Sequence, residues 1–140
     1  MGHMYPSATL ALSSGAVSWI SDTIGALLVS PGYVFNPAHV HVSDLVAFEL
    51  NDVSYGRQTL TGKTQTLDTV NNQTILSSAL VVFPLLANSI TNALILFKST
   101  GTDSTSPLLA YVDFFSTITA IGKTVQVNPS ASGWMQCQAQ

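Results

Sequence analysis

Apolar and polar positions alternate every second residue through much of this chain, the period of an extended strand with one face buried. The pattern is plain in "YGRQTLTGKTQTLDT", where Tyr55, Arg57 and Thr59 fall on one side, Gln58 and Leu60 on the other, and alternation resumes through Thr64, Thr66 and Asp68. At residues 24–29 it gives way to an unbroken apolar run closed by Pro31–Gly32, which predicts a central strand. "NALILFK", "PLLAYVDF" and "GKTVQV" predict further strands. Residues 73–78 return as a strand after a turn at Asn71–Asn72, which tolerate positive φ, and "SGWMQCQ" adds a short closing segment that packs Trp134. Residues 99–106, "STGTDSTS", hold no apolar side chain and predict a solvated hairpin tip. "NPAHVHVSDLVAFELND" fits two patterns. Val42, Leu45, Val46 and Leu50 make a helical stripe with Ser43 as N-cap, whereas Val40, Val42 and the histidines alternate; a short helix or turn over 43–50 is favoured.

About eight strands and many short turns predict an all-β, single-domain β-sandwich, jelly-roll-like or a related Greek key, with at most one short helix. The 140 residues suit one domain with one core. Residues 1–4, "MGHM", read as a cloning remnant, residues 5–18 as an N-terminal arm or edge strand with alternation at Leu10 and Leu12, and 19–140 as the sandwich. "ATLALSSGAV" has no positive flank, which argues against a signal peptide. Residues 69–97 carry no charge and approach membrane-spanning length, but Ser77, Ser78, Asn88, Ser89, Thr91, Asn92 and Pro84 interrupt them. Two buried strands with a polar connection are expected there, and no membrane partner.

Composition changes the picture in one respect. Charged residues make up 8% of the chain, against about 25% in an average soluble protein. The 15 Thr and 17 Ser take over the polar role, which suits strands and leaves a neutral, hydroxyl-rich surface. Such a surface lacks the repulsion that keeps free monomers apart, a hint of assembly. A net charge of −3 with four basic side chains cannot build a phosphate-neutralising stripe, so nucleic acid is not an expected partner. Cys137 has no second cysteine to pair with in this chain.

Candidate chemistry is sparse. "GRQTLTGKT" resembles a phosphate loop, but five residues separate Gly56 from Gly62 where four are needed, and the Thr-rich stretch that follows is not helical. His39 and His41 with Asp44 are weak metal candidates, since alternate histidines share one face of a strand; the competing reading is loop histidines bonded to backbone. No Gly-x-Ser-x-Gly elbow marks a nucleophile, and neither an enzyme activity nor a cofactor is expected. Arg57, the only arginine, is expected to pair with Asp22, Asp44 or Glu49. Tyr33, Phe35 and Tyr55 are expected in or at the edge of the core.

Three stretches, "WISDTIGALLV", "YGRQTLTGKTQTLDTVNNQT" and "FKSTGTDSTSPLLAYVDF", together resemble a family of small structural proteins of tailed bacteriophage virions. The shared pattern is Trp-x-Ser-Asp-Thr-Ile, then Tyr-x-Arg-x-x-Leu-x-x-Lys-Thr, then Thr-Gly-Thr-x-x-Thr-Ser-Pro-Leu, in that order, and it spans residues 19–114. The chain departs from it in "ILSSALVVFPLLANSI", uncharged where the family carries acidic and aromatic residues. The resemblance implies a capsid decoration or cement protein, made in the host cytoplasm and carried on the virion surface, with the major capsid protein and further copies of itself as partners. It transfers no active site. Apolar content beyond the needs of one small core makes Tyr5, Leu10 and Leu12 in the arm, and Val81, Val82, Phe83, Leu85 and Leu86 in the uncharged region 79–90, the expected partner-binding residues. The rival expectation is a receptor- or glycan-binding module of a tail fibre, with hairpin 99–106 as its tip.

Overall fold

The structure is a computed structural model and describes residues 2–138. It is an all-β single domain of ten strands in antiparallel sheets, with one short α-helix. The strands are β1 (Gly2–Met4), β2 (Ile24–Val29), β3 (Gln58–Thr59), β4 (Thr64–Asp68), β5 (Gln73–Ser77), β6 (Val81–Leu86), β7 (Ser89–Lys98), β8 (Leu108–Ala120), β9 (Lys123–Val127) and β10 (Met135–Gln138). They form a five-stranded sheet in the order β1-β8-β7-β2-β3, a three-stranded sheet β10-β5-β4 and a two-stranded sheet β6-β9.

Every residue of β2 is buried, as its unbroken apolar run predicts, and β7 beside it is buried from Ala93 to Phe97. Gly25 pairs with Phe97, whose ring lies 2.5 Å from where a Cβ would stand on residue 25. Glycine is there so that the ring can lie on the backbone. The β4–β5 turn is built by Asn72 at φ 53° and by the Asp68 carboxylate, which accepts the Val70 and Asn71 N–H groups.

Two expectations are corrected. Residues 5–18 are neither arm nor edge strand. Pro6–Ser13 is a helix, α1, with Pro6 in its first turn, where a missing N–H costs nothing, and with Tyr5 and Ala8 fully buried. Leu10 and Leu12 therefore do not alternate across a strand. Ahead of α1, Gly2–Met4 pair with β8 from Val112 to Ala110, and His3 lies against Phe35 and Tyr111. The short helix or turn favoured over 43–50 is present as two 3₁₀ turns, Val42–Asp44 and Val46–Phe48, but Ser43 caps neither. The Asp44 carboxylate takes the capping role expected of Ser43 by accepting the Val40 and His41 N–H groups. Tyr33 is buried, and Phe35 and Tyr55 pack against the core. Among the described residues no helix is long and apolar enough to cross a membrane.

Candidate contact surface

Five of the charged residues in the three quoted stretches make contacts from one stretch to another: Arg57 with Asp103, and Lys98 and Lys63 with Asp22. Arg57, just before β3, donates from Nε and Nη2 to the two Glu49 oxygens at 2.8 and 2.7 Å, and from Nη1 and Nη2 to the two Asp103 oxygens at 2.7 and 3.1 Å. Its guanidinium stands 5.5 Å from the centroid of the Phe97 ring. Glu49 is carried beside β2 by a bridge to Val29 and also accepts the Tyr55 hydroxyl at 2.6 Å. Asp103 sits in the 3₁₀ turn of the 99–106 tip. The Arg57 bonds hold the Asp103 carboxyl below the usual carboxylate range. Nearby, Lys98 pairs with Asp22 at 3.2 Å, and Lys63 Nζ donates to the Asp22 carbonyl. The Ser18 N–H, and after it Lys98, depress the Asp22 pKa. Glu49 was an expected Arg57 partner; Asp103 was not, and Asp22 and Asp44 are engaged elsewhere. Because Lys63 is spent on a carbonyl and leads into a strand, nothing here cradles a phosphate.

The hairpin tip is bonded to itself. Thr100 Oγ1 lies 2.6 Å from Thr105 Oγ1 and 3.1 Å from Ser106 Oγ, which donates to the Thr102 carbonyl at 2.8 Å. A second lock joins Asp52 to the β6–β7 turn: its carboxylate accepts the Ser54 and Asn88 N–H groups and the Ser89 hydroxyl. Those bonds, the Ser54 N–H first, bring its pKa down to about 2. All seven carboxylates of the chain in fact accept hydrogen bonds from within it, the last being Asp113, which takes the Phe115 N–H.

His39, His41 and Asp44 do not converge. His39 Nδ1 lies 3.0 Å from the Tyr33 hydroxyl, itself 2.8 Å from that of Tyr5, while Asp44 is turned to backbone. Among the described residues no three His, Cys, Asp or Glu side chains are grouped to hold a metal ion. The His39 ring is bonded to side chains, the Tyr33 hydroxyl and the Asn36 amide, where bonds to backbone were expected.

The expected partner-binding residues divide. Tyr5, Val81, Phe83 and Leu86 are buried in the core and present nothing to a partner, a correction with a simple cause. Strand β6 turns alternate residues inward against β9, and the extra residue of a bulge between Phe83 and Leu86 returns Leu86 to the inner face. Leu12 and Val82 are partly covered. Leu10 and Leu85 are exposed, 70% and 65%. Leu85 sits in that bulge at φ 41°, its N–H held by Thr124 Oγ1 at 3.1 Å.

A second residue of this kind escaped sequence reasoning. Between the pairs Ala93↔Asp113 and Thr91↔Ile118, β7 spends one residue, Asn92, and β8 spends four, residues 114–117. Phe115, in that bulge, has φ 58° and is 74% exposed. Left-handed backbone is an outlier for large side chains and costs about 1–2 kcal/mol. Two large apolar residues thus hold a costly conformation in which their side chains point into solvent. The only sequence signal was "DFFST", two aromatics in succession where alternation should place just one inward.

The surface also carries clefts. One of about 680 Å³ lies between α1 and the three-stranded sheet, lined by Leu12, Trp19, Gln65, Thr74, Leu76 and Cys137 among others, with no charged side chain. One of about 360 Å³ runs from Phe115 to Trp134. Compared with known protein families, with curated proteins and with solved structures, the chain matches none.

Proposed function

We propose that this chain is a non-enzymatic structural protein of a bacteriophage virion, a decoration or cement protein that holds shell subunits together through neutral, partly apolar contacts. The observation that carries the reading is the outward display of Leu85 and Phe115 from left-handed bulges. Strain of this kind persists where the surrounding structure over-determines it, and it gathers at functional contacts. The three stretches that resemble virion proteins support it further. Arg57 with Asp103, and Lys98 and Lys63 with Asp22, tie the segments to one another, leaving mostly hydroxyls, amides and apolar groups for a partner. At a tightly packed interface that is the economical arrangement, since an unpaired charge there is costly.

Binding to isolated phage heads stripped of decoration tests the proposal, with a glycan array run in parallel. Saturable binding to heads, weakened about ten-fold by Phe115→Asn or Leu85→Asn, is expected, since each change removes an exposed apolar contact of about 1–2 kcal/mol. Asn tolerates positive φ, so neither change should lower the thermal midpoint. Glycan binding without head binding would instead place the protein in a tail fibre.

A further inference from the structure

The open edge of the three-stranded sheet carries one more inference, which deepens the assembly part of the proposed function and rests on it. β10, β6 and β9 each approach a strand of the five-stranded sheet, namely β1, β3 and β8, whereas among the described residues β4 pairs with β5 on one side and with no strand on the other. Residues 64–67 are exposed, and Leu67 is 71% exposed. Natural edges are protected by lysine, proline, bulges or inward charge. Here the two flanking charges are turned away from that duty: Lys63 is bonded to the Asp22 carbonyl, and Asp68 to the turn residues Val70, Asn71 and Gln73.

The bonding direction of the edge follows from its neighbours. The Leu76 carbonyl accepts the Trp134 N–H on the β10 side, and the Ala79 N–H donates to Thr61 on the other. Alternation along β5 then turns Gln73, Ile75 and Ser77 toward their partners Asp68, Thr66 and Thr64. The N–H and C=O groups of Gln65 and Leu67 consequently point out from the edge. We propose that a second copy of this chain occupies it, β4 against β4, antiparallel about a two-fold axis through Thr66. Gln65 of each copy then exchanges backbone hydrogen bonds with Leu67 of the other, and Thr66 faces Thr66 as a pair not bonded through the backbone. Thr64 faces Asp68. No like charges oppose each other. The two three-stranded sheets become one of six strands, isologous and closed.

Sedimentation equilibrium on the intact chain reads the association. In a Cys137→Ser background, Thr66→Cys should form a disulfide-linked dimer under mild oxidation and Thr64→Cys should not. Cα atoms in a non-bonded antiparallel pair stand about 4.5 Å apart, within disulfide reach. Gln65→Pro removes an outward N–H while sparing the bonds to β5, and should weaken dimerisation by about ten-fold or more. If circular dichroism shows that variant unfolded, Leu67→Lys gives the same readout. A chain monomeric at every concentration, or a dimer indifferent to both changes, overturns the inference. Pairing through β4 without head binding would leave it standing and remove the decoration reading; head binding by a strict monomer would do the reverse.

Discussion

Replacing Arg57 by alanine should cost about 3 kcal/mol, and each part of that figure comes from a contact around one guanidinium. Glu49 keeps 10% of its side chain exposed and Arg57 31%. Removing one partner of a fully buried ion pair costs about 3–5 kcal/mol because the other charge is stranded; with Arg57 a third in water, about 2 kcal/mol remains. The Asp103 half is 39% exposed on the carboxylate side, and such pairs contribute about 0.5 kcal/mol. The cation over the Phe97 ring adds about 0.5 kcal/mol. For a domain of this size the sum corresponds to a fall of about 10 °C in the thermal midpoint. Urea unfolding followed through Trp19 and Trp134 measures it. Arg57→Lys should recover less than half, since an ammonium cannot bond two carboxylates edge-on. Adding Glu49→Gln to Arg57→Ala should restore about 1 kcal/mol by removing the stranded charge. Acid supplies an independent arm. The Asp103 pKa is lowered in the folded state, so its contribution is complete above the ordinary carboxylate value of about 3.9 and is lost as pH falls through the lowered one. In Arg57→Ala that part of the acid slope should vanish. A loss below about 0.5 kcal/mol for Arg57→Ala would refute the clamp, placing all of it among ordinary surface pairs.

Asp52→Asn should flatten the loss of stability between the ordinary carboxylate range and pH 2, because the folded pKa of about 2 makes the Asp52 contribution present above that range and lost below it; acid titration followed by circular dichroism checks this. Gly25→Ala should destabilise by about 1–3 kcal/mol through overpacking against the Phe97 ring, and Gly25→Ala with Phe97→Leu should recover part of it in the same urea assay.

What the sequence disclosed was local. The apolar run of β2, the positive-φ turn at Asn72 and the polar tip between β7 and β8 each depend on neighbours within a few residues, and each stands where the pattern put it. Helix α1 was missed because its signals were faint: Pro6 marks a first turn, but no side chain caps it and no acidic residue follows, so the burial of Tyr5 and Ala8 against distant strands sustains it. Strand β6 was read as surplus apolar surface because the bulge at Leu85 breaks the period of two, hiding that Val81, Phe83 and Leu86 share an inner face. Asp103 lies 46 residues from Arg57, a pairing set by the approach of the β7–β8 hairpin to β3 and by no local rule.

The distribution of charge bears on how such a molecule would bind. Ordinary soluble proteins keep charge outside and apolar groups inside. Here Arg57, Lys63 and Lys98 are bonded within the chain, all seven carboxylates accept internal hydrogen bonds, and Leu10, Leu67, Leu85 and Phe115 stand in solvent. A partner therefore meets few groups whose attraction salt can screen. Association driven by rim charges slows and weakens as ionic strength rises, because the Debye length shrinks from about 10 Å at 0.1 M to about 3 Å at 1 M. Association through exposed apolar side chains and backbone edges is untouched by that screening, and an excluded salt such as sulfate strengthens it. Binding to heads, and pairing between copies, should then hold constant within about three-fold from 0.1 to 1 M sodium chloride and tighten in ammonium sulfate. A ten-fold loss in sodium chloride would show that the internal ion pairs open to serve the partner, which would turn the Arg57 clamp from a structural lock into part of the interface.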